Sequence, residues 1–150
     1  MGSRFNRVWP LAAALIAVSV GCDDNPAVAP ASGRVLYNGQ PVPYGNVMFQ
    51  PAQGQPAGAA IQPDGTFQMS TFAEYDGAIV GPHKVTVACY TSQRPSEKSK
   101  KAVGETTLGE SLLPSHFAFF DQSGLTAEVP VEGTDALEFQ LDGPKKAFPK

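Results

Sequence analysis

The feature that most constrains this chain is a two-residue period that returns repeatedly after residue 31. Val47 and Phe49 alternate with Asn46, Met48 and Gln50, and Phe67 and Met69 with Thr66, Gln68 and Ser70. Ala127, Val129 and Val131 alternate with Thr126, Glu128 and Pro130, and Leu137, Phe139 and Leu141 with Ala136, Glu138 and Gln140. Successive side chains of a strand leave on opposite faces, so each run offers one apolar face to a core and one polar face to water. In "HKVTVACY" the same rule puts His83, Val85, Val87 and Cys89 on the inner face, with Lys84, Thr86, Ala88 and Tyr90 opposite. Turn chemistry separates the runs: Asn38-Gly39, Pro63-Asp64-Gly65 and Gly81-Pro82. Pro130 cannot donate to a ladder, which makes 126–131 an edge or bulged strand. No segment carries a sustained helical stripe. The pattern predicts an all-β, antiparallel sandwich of about seven strands.

The first 21 residues follow a different logic. Arg4 and Arg7 precede Val8–Val20, a run of 13 residues without charge. That is shorter than the roughly 20 residues a spanning helix needs, and matches the core of a secretory signal. Removing residues 1–21 leaves nine basic residues against fourteen acidic ones, a formal net charge of −5. An acidic balance of this kind excludes nucleic acid as the expected partner, since that needs a basic footprint. An exported chain is also able to pair its two cysteines, Cys22 and Cys89.

The stretch Val18-Ser19-Val20-Gly21-Cys22 resembles the lipobox of bacterial lipoproteins. The resemblance implies cleavage between Gly21 and Cys22, an S-diacylglyceryl group on the Cys22 thiol and an N-acyl group on its new amine. It places the protein at the bacterial cell envelope, exported and membrane-anchored, with inner and outer membrane both open. Two or more acyl chains make such an anchor stable. An ordinary signal peptide cut after Ala29 or Ala31, each ending an A-x-A triplet, stands beside it. On the lipoprotein reading, 1–21 is the signal, 22–31 a flexible tether, 32–141 the domain and 142–150 a tail.

"SGRVLYNGQPVPYGNVMFQP" and "IQPDGTFQM" resemble the opening strands and turns of the carboxypeptidase regulatory-like domain, a transthyretin-like (prealbumin-like) β-sandwich. "STFAEYDGAIVGPHKVTV" and "SLLPSHFAFFDQSGLTAEV" resemble small bacterial lipoproteins carrying this domain. The likeness covers roughly residues 32–141 and rests on turn and core positions, so it implies a fold and no activity. Transthyretin-like enzymes that hydrolyse 5-hydroxyisourate end in tyrosine-arginine-glycine-serine. This chain ends "DGPKKAFPK".

Candidate chemistry is sparse. The two histidines, His83 and His116, belong to no zinc-spaced cluster, and neither a GxSxG elbow nor a phosphate-cradling glycine loop is present. Asp64, Asp76 and Asp121 are turn aspartates that would need to converge to hold calcium. No metal and no cofactor is expected. The long connection 91–125 is unusual for a compact domain. It collects Arg94, Lys98, Lys100 and Lys101, a candidate partner-contact loop for anionic lipid or acidic polysaccharide. Leu112, Leu113, Phe117, Phe119 and Phe120 follow and are expected to pin that connection to the sandwich.

The expected function is therefore a non-enzymatic structural or binding module, held at the membrane by lipid, with envelope polysaccharide or protein as a further partner. An envelope enzyme or accessory subunit acting on polysaccharide or peptide is the alternative.

Overall fold

The structure, a computed structural model, describes residues 26–94, 109–144 and 148. Gly21, Cys22, Lys98, Lys100 and Lys101 lie outside the described residues. The described chain is all-β. In chain order its strands are β1 (Val28–Ala29), β2 (Ala31–Tyr37), β3 (Gln40–Pro41), β4 (Asn46–Pro51), β5 (Ala57–Ala60), β6 (Thr66–Gln68), β7 (Ala78–Ile79), β8 (Gly81–Ala88), β9 (Leu125–Val129) and β10 (Thr134–Leu141). One sheet runs β5-β4-β8-β9. In the other, β2 pairs with β10 along one edge and with β6 and β3 along the opposite edge. The arrangement fits a β-sandwich.

The alternation of the sequence explains why the sheets stack. Val47 and Phe49 of β4, Val85 and Val87 of β8, and Val129 of β9 are fully buried, as are Val35 of β2 and, nearly so, Phe139 and Leu141 of β10. Three aromatics knot the layers together. Phe49 comes from one sheet, Phe67 and Phe139 from the other. Phe49 meets Phe139 edge-on at 6.0 Å and Phe67 edge-on at 6.2 Å, while Phe67 and Phe139 stack at 5.9 Å. Edge-to-face and offset contacts of this kind add to the area they bury.

Turn chemistry behaves as the residues dictate. Asn38 and Gly39 both take positive φ (50° and 76°), closing the β2–β3 hairpin so that Tyr37 faces Gln40. After Pro63-Asp64, the Asp64 carboxylate accepts the Thr66 amide at 3.0 Å and hydroxyl at 2.6 Å.

Several expectations need correction. The sandwich is not purely antiparallel: β10 runs parallel to β2, in register from Leu137–Gly33 to Leu141–Tyr37. Parallel partners need a long crossover, and nearly the whole domain separates these two. The register shifts between Thr134 and Leu137, bringing the Leu137 carbonyl against Gly33, where any Cβ would collide. The end of the expected tether is part of the body. Val28 and Ala29 pair with Ile79 and Ala78, and Ala29 and Ala31 are buried. Small side chains there fit close backbone approach, so alanines that read as linker serve as core. β9 ends at Val129, before Pro130, and Val131 is 78% exposed instead of facing inward. β9 is nonetheless an edge strand.

The connection after β8 is tied down at its described ends. Thr91–Gln93 and Ser115–Ala118 form short 3₁₀ turns, and Tyr90 bridges to Ser111. Leu112, Leu113 and Phe117 are buried, whereas Phe119 is exposed. Ser123 Oγ donates to the Val85 carbonyl at 2.6 Å, fixing the return into β9. The tail is also held: Tyr37 donates its hydroxyl to the Pro144 carbonyl at 2.7 Å, and Phe148 packs edge-on against the Tyr37 ring.

Truncating the ring that joins the two sheets should be severe. Phe49→Ala is expected to destabilise the domain by about 3–5 kcal/mol, measured by urea denaturation. That is a large share of the roughly 5–15 kcal/mol available to a domain.

Candidate functional site

The outward face of β2, β6 and β10 carries Ser32, Arg34, Thr66, Gln68 and Glu138, the polar halves of the same alternating runs that build the core. On a free sheet these would be a solvated surface. Here a wall rises beside them. Gly58 of β5 exchanges two backbone hydrogen bonds with Ser70, at 2.9 and 3.0 Å, drawing the edge of one sheet over the flank of the other. The wall and the face enclose an open groove of about 750 Å³, with Tyr75 and Glu74 on one side and Asp135 on the other. Its size is that of a ligand cleft, but its lining is mostly polar, with Gln62 and Gln68 among hydroxyl and charged side chains, where ordinary small-molecule pockets are mostly apolar. Arg34 and three carboxylates, Glu74, Asp135 and Glu138, are among the residues lining it.

The Tyr75 side of the groove is fixed by Asp76. Its two carboxylate oxygens accept the backbone amides of Thr71 (2.6 Å), Phe72 (2.9 Å) and Ala73 (2.9 Å). Partial burial raises the Asp76 carboxyl, but these three amides outweigh it and hold it below its ordinary value of 3.8. Ser70 Oγ accepts the Tyr75 amide at 2.8 Å, and Tyr75 itself stands at φ +60°, a left-handed conformation unusual for so large a residue. Strain of this kind persists where the surroundings over-determine it, and it gathers at ligand clamps. The result is a 55%-exposed phenol ring presented at the groove rim.

The residues singled out from the sequence do not converge on this groove. His83 is buried between the sheets, packed 5.5 Å from the Phe49 ring. Its Nε2 lies 2.6 Å from the Ile79 carbonyl, which only accepts, so that nitrogen carries the proton. His116 is exposed in the second 3₁₀ turn, its ring tilted against that of Phe117 with centroids 4.0 Å apart. The three turn aspartates serve separate partners: Asp64 holds Thr66, Asp76 its three amides, and Asp121 an exposed ion pair with Lys84 at 2.7 Å. Among the described residues, no group of three or more His, Cys, Asp or Glu side chains is placed to hold a metal ion.

Cys89 is fully buried, and burial pushes its thiol up to about 12. Val80 donates to the Ala27 carbonyl at 2.9 Å, tying the start of β8 to the entry of the chain. From Gly81 to Cys89 is about 26 Å of extended strand, so Cys89 sits at the end of β8 away from Ala27. Arg94, the described member of the basic cluster, follows the same strand and sits at the end opposite Ala27.

Sequence reasoning missed the groove. Its polar residues were visible as the wet faces of strands, and Asp76 as a turn aspartate. What no local pattern carries is the Gly58–Ser70 bridge that turns a flat face into a cleft. Compared with protein-family models, with curated proteins and with solved structures, the chain matches none.

Asp76→Ala is expected to cost about 2–3 kcal/mol and to release the Tyr75 loop, read as faster amide exchange at residues 71–77. Because the folded carboxyl titrates below the unfolded one, its contribution is complete above the unfolded value. It is lost as pH falls through the folded value, so the same loop should open first on acidification below about pH 4. Cys89 should resist alkylation in the native protein and react fully once unfolded, read by mass spectrometry with iodoacetamide.

Proposed function

We propose that this protein is a lipid-anchored module of the bacterial cell envelope, a transthyretin-like sandwich of the carboxypeptidase regulatory-like type that binds rather than catalyses. The observation that carries the binding half is the groove. An exposed aromatic ring beside amides, hydroxyls and charged side chains is the equipment for recognising a hydroxylated, extended ligand: the ring stacks on one face of a sugar while polar groups read its hydroxyls. Three carboxylates against one guanidinium disfavour a polyanion, so the ligand is a neutral or amine-bearing envelope polysaccharide.

Support for the anchored half comes from where the folded body begins. The first strand among the described residues, β1, starts at Val28, six residues beyond Cys22, so a cut before Cys22 keeps β1 and the buried Ala29 and Ala31 in the mature chain. The alternative A-x-A cleavages fit poorly with this. Cutting after Ala29 or Ala31 would remove β1, whose residues pair with β7, and Ala29 itself from the core.

The test is calorimetric titration of the protein with neutral and amino-sugar oligosaccharides and with an acidic oligosaccharide of equal length. Binding of the first two, weakened at least about tenfold (about 1.4 kcal/mol) by Tyr75→Ala, is the expected result. Equal or better binding of the acidic chain, or indifference to Tyr75→Ala, would exclude the groove as the site.

A further inference from the structure

We infer that the Ala27 end of the sandwich rests directly on the bilayer, with Phe72 and Val131 in the headgroup layer of a zwitterionic lipid surface. The inference rests on the proposed acylation of Cys22. It starts from chain length. Four residues lead from Cys22 to Pro26, at most about 14 Å when extended. The headgroup region itself is some 5–7 Å deep on each side, so a body attached at Pro26 has little room to stand clear of it.

The strand directions identify which loops share that end. Val80 bonds to Ala27, and a Cβ added at Gly54 would lie 3.4 Å from the Pro26 ring, so the 52–55 turn borders the entry of the chain. Gln55 donates to the Thr71 carbonyl at 2.8 Å, which brings the 71–76 loop alongside. Thr134 donates to the Pro30 carbonyl at 2.8 Å, which brings the 130–133 turn to the same end. The 71–76 loop exposes Phe72 at 43% beside the groove-rim Tyr75, and the 130–133 turn exposes Val131 at 78%. Single exposed apolar residues are ordinary on a protein surface. Their placement on the two loops that flank the point of attachment is what gives these a partner.

Two side chains bury too little area to hold a free protein on a membrane. An anchored protein has no such need, because the acyl chains keep the loops at high effective concentration beside the surface. Charge selects the kind of surface. Glu74 and Glu132, both exposed, lie on the same two loops, and an anionic leaflet would repel them. The basic residue Arg94 is at the other end, about 23 Å away along β8.

The test exploits the only tryptophan, Trp9, which lies in the segment removed on cleavage. Phe72→Trp and Val131→Trp each then give a mature protein with one reporter, and Gln40→Trp, exposed in the β2–β3 hairpin at the far end, gives the control. The mature acylated variants are reconstituted in phosphatidylcholine vesicles with brominated acyl chains, and the mass of the N-terminal peptide is measured on the same samples. Phe72→Trp and Val131→Trp should lose about half their emission and shift to the blue, with Gln40→Trp unaffected. Adding phosphatidylglycerol should reduce the quenching. Acylated protein whose two end-loop variants emit like the control overturns the contact and leaves the anchor standing. A bare Cys22 overturns both.

Discussion

Everything at the surface of this protein depends on Phe49 reaching across the interior to Phe67 and Phe139. The three rings join the sheets at the level where β2, β6 and β10 face β4. With that separation fixed, β5 is carried to the flank of the second sheet, where Gly58 and Ser70 bond and the groove acquires its wall. The same packing holds the ends apart, so that loops at the entry of the chain and those beyond β8 face in opposite directions. Close-packed interiors transmit such constraints because they deform little.

The body is therefore polar in function as well as in geometry. One end carries Ala27, where the proposed attachment would lie, with the exposed Phe72 and Val131 and the acidic Glu74 and Glu132. The other carries the Asn38-Gly39 hairpin, the Tyr37 anchor of the tail and the start of the basic connection. The groove runs on the flank between them, with Tyr75 toward the Ala27 end.

Alternation exposed most of the core because burial on one face leaves a period of two that no other constraint imitates. Val47, Phe49, Val85, Val87, Phe139 and Leu141 were all visible this way, and the Asn38-Gly39 turn was visible because few residues take positive φ. Four things were hidden. The parallel pairing of β10 with β2 joins segments about a hundred residues apart and leaves no mark on either. Val28–Ala31 reads as linker, since alanine and proline announce neither strand nor core; only the pairing with Ala78–Ile79 makes Ala29 and Ala31 interior. Val131 kept the rhythm of its strand on paper, but β9 stops at Val129 and the next residues turn away. The groove was hidden for the same reason as the parallel pair: it is a property of two distant segments meeting.

The measurement that bears most directly on the account is fractionation of membranes from cells expressing the full chain, comparing the natural sequence with Cys22→Ser. Acyl chains predict that the natural protein stays with the membrane through high salt and alkaline carbonate and leaves only in detergent, while Cys22→Ser is lost from the washed membrane or retains its uncleaved leader. A natural protein that washes away in salt, with an unmodified sulfur or a start beyond Cys22, would contradict it.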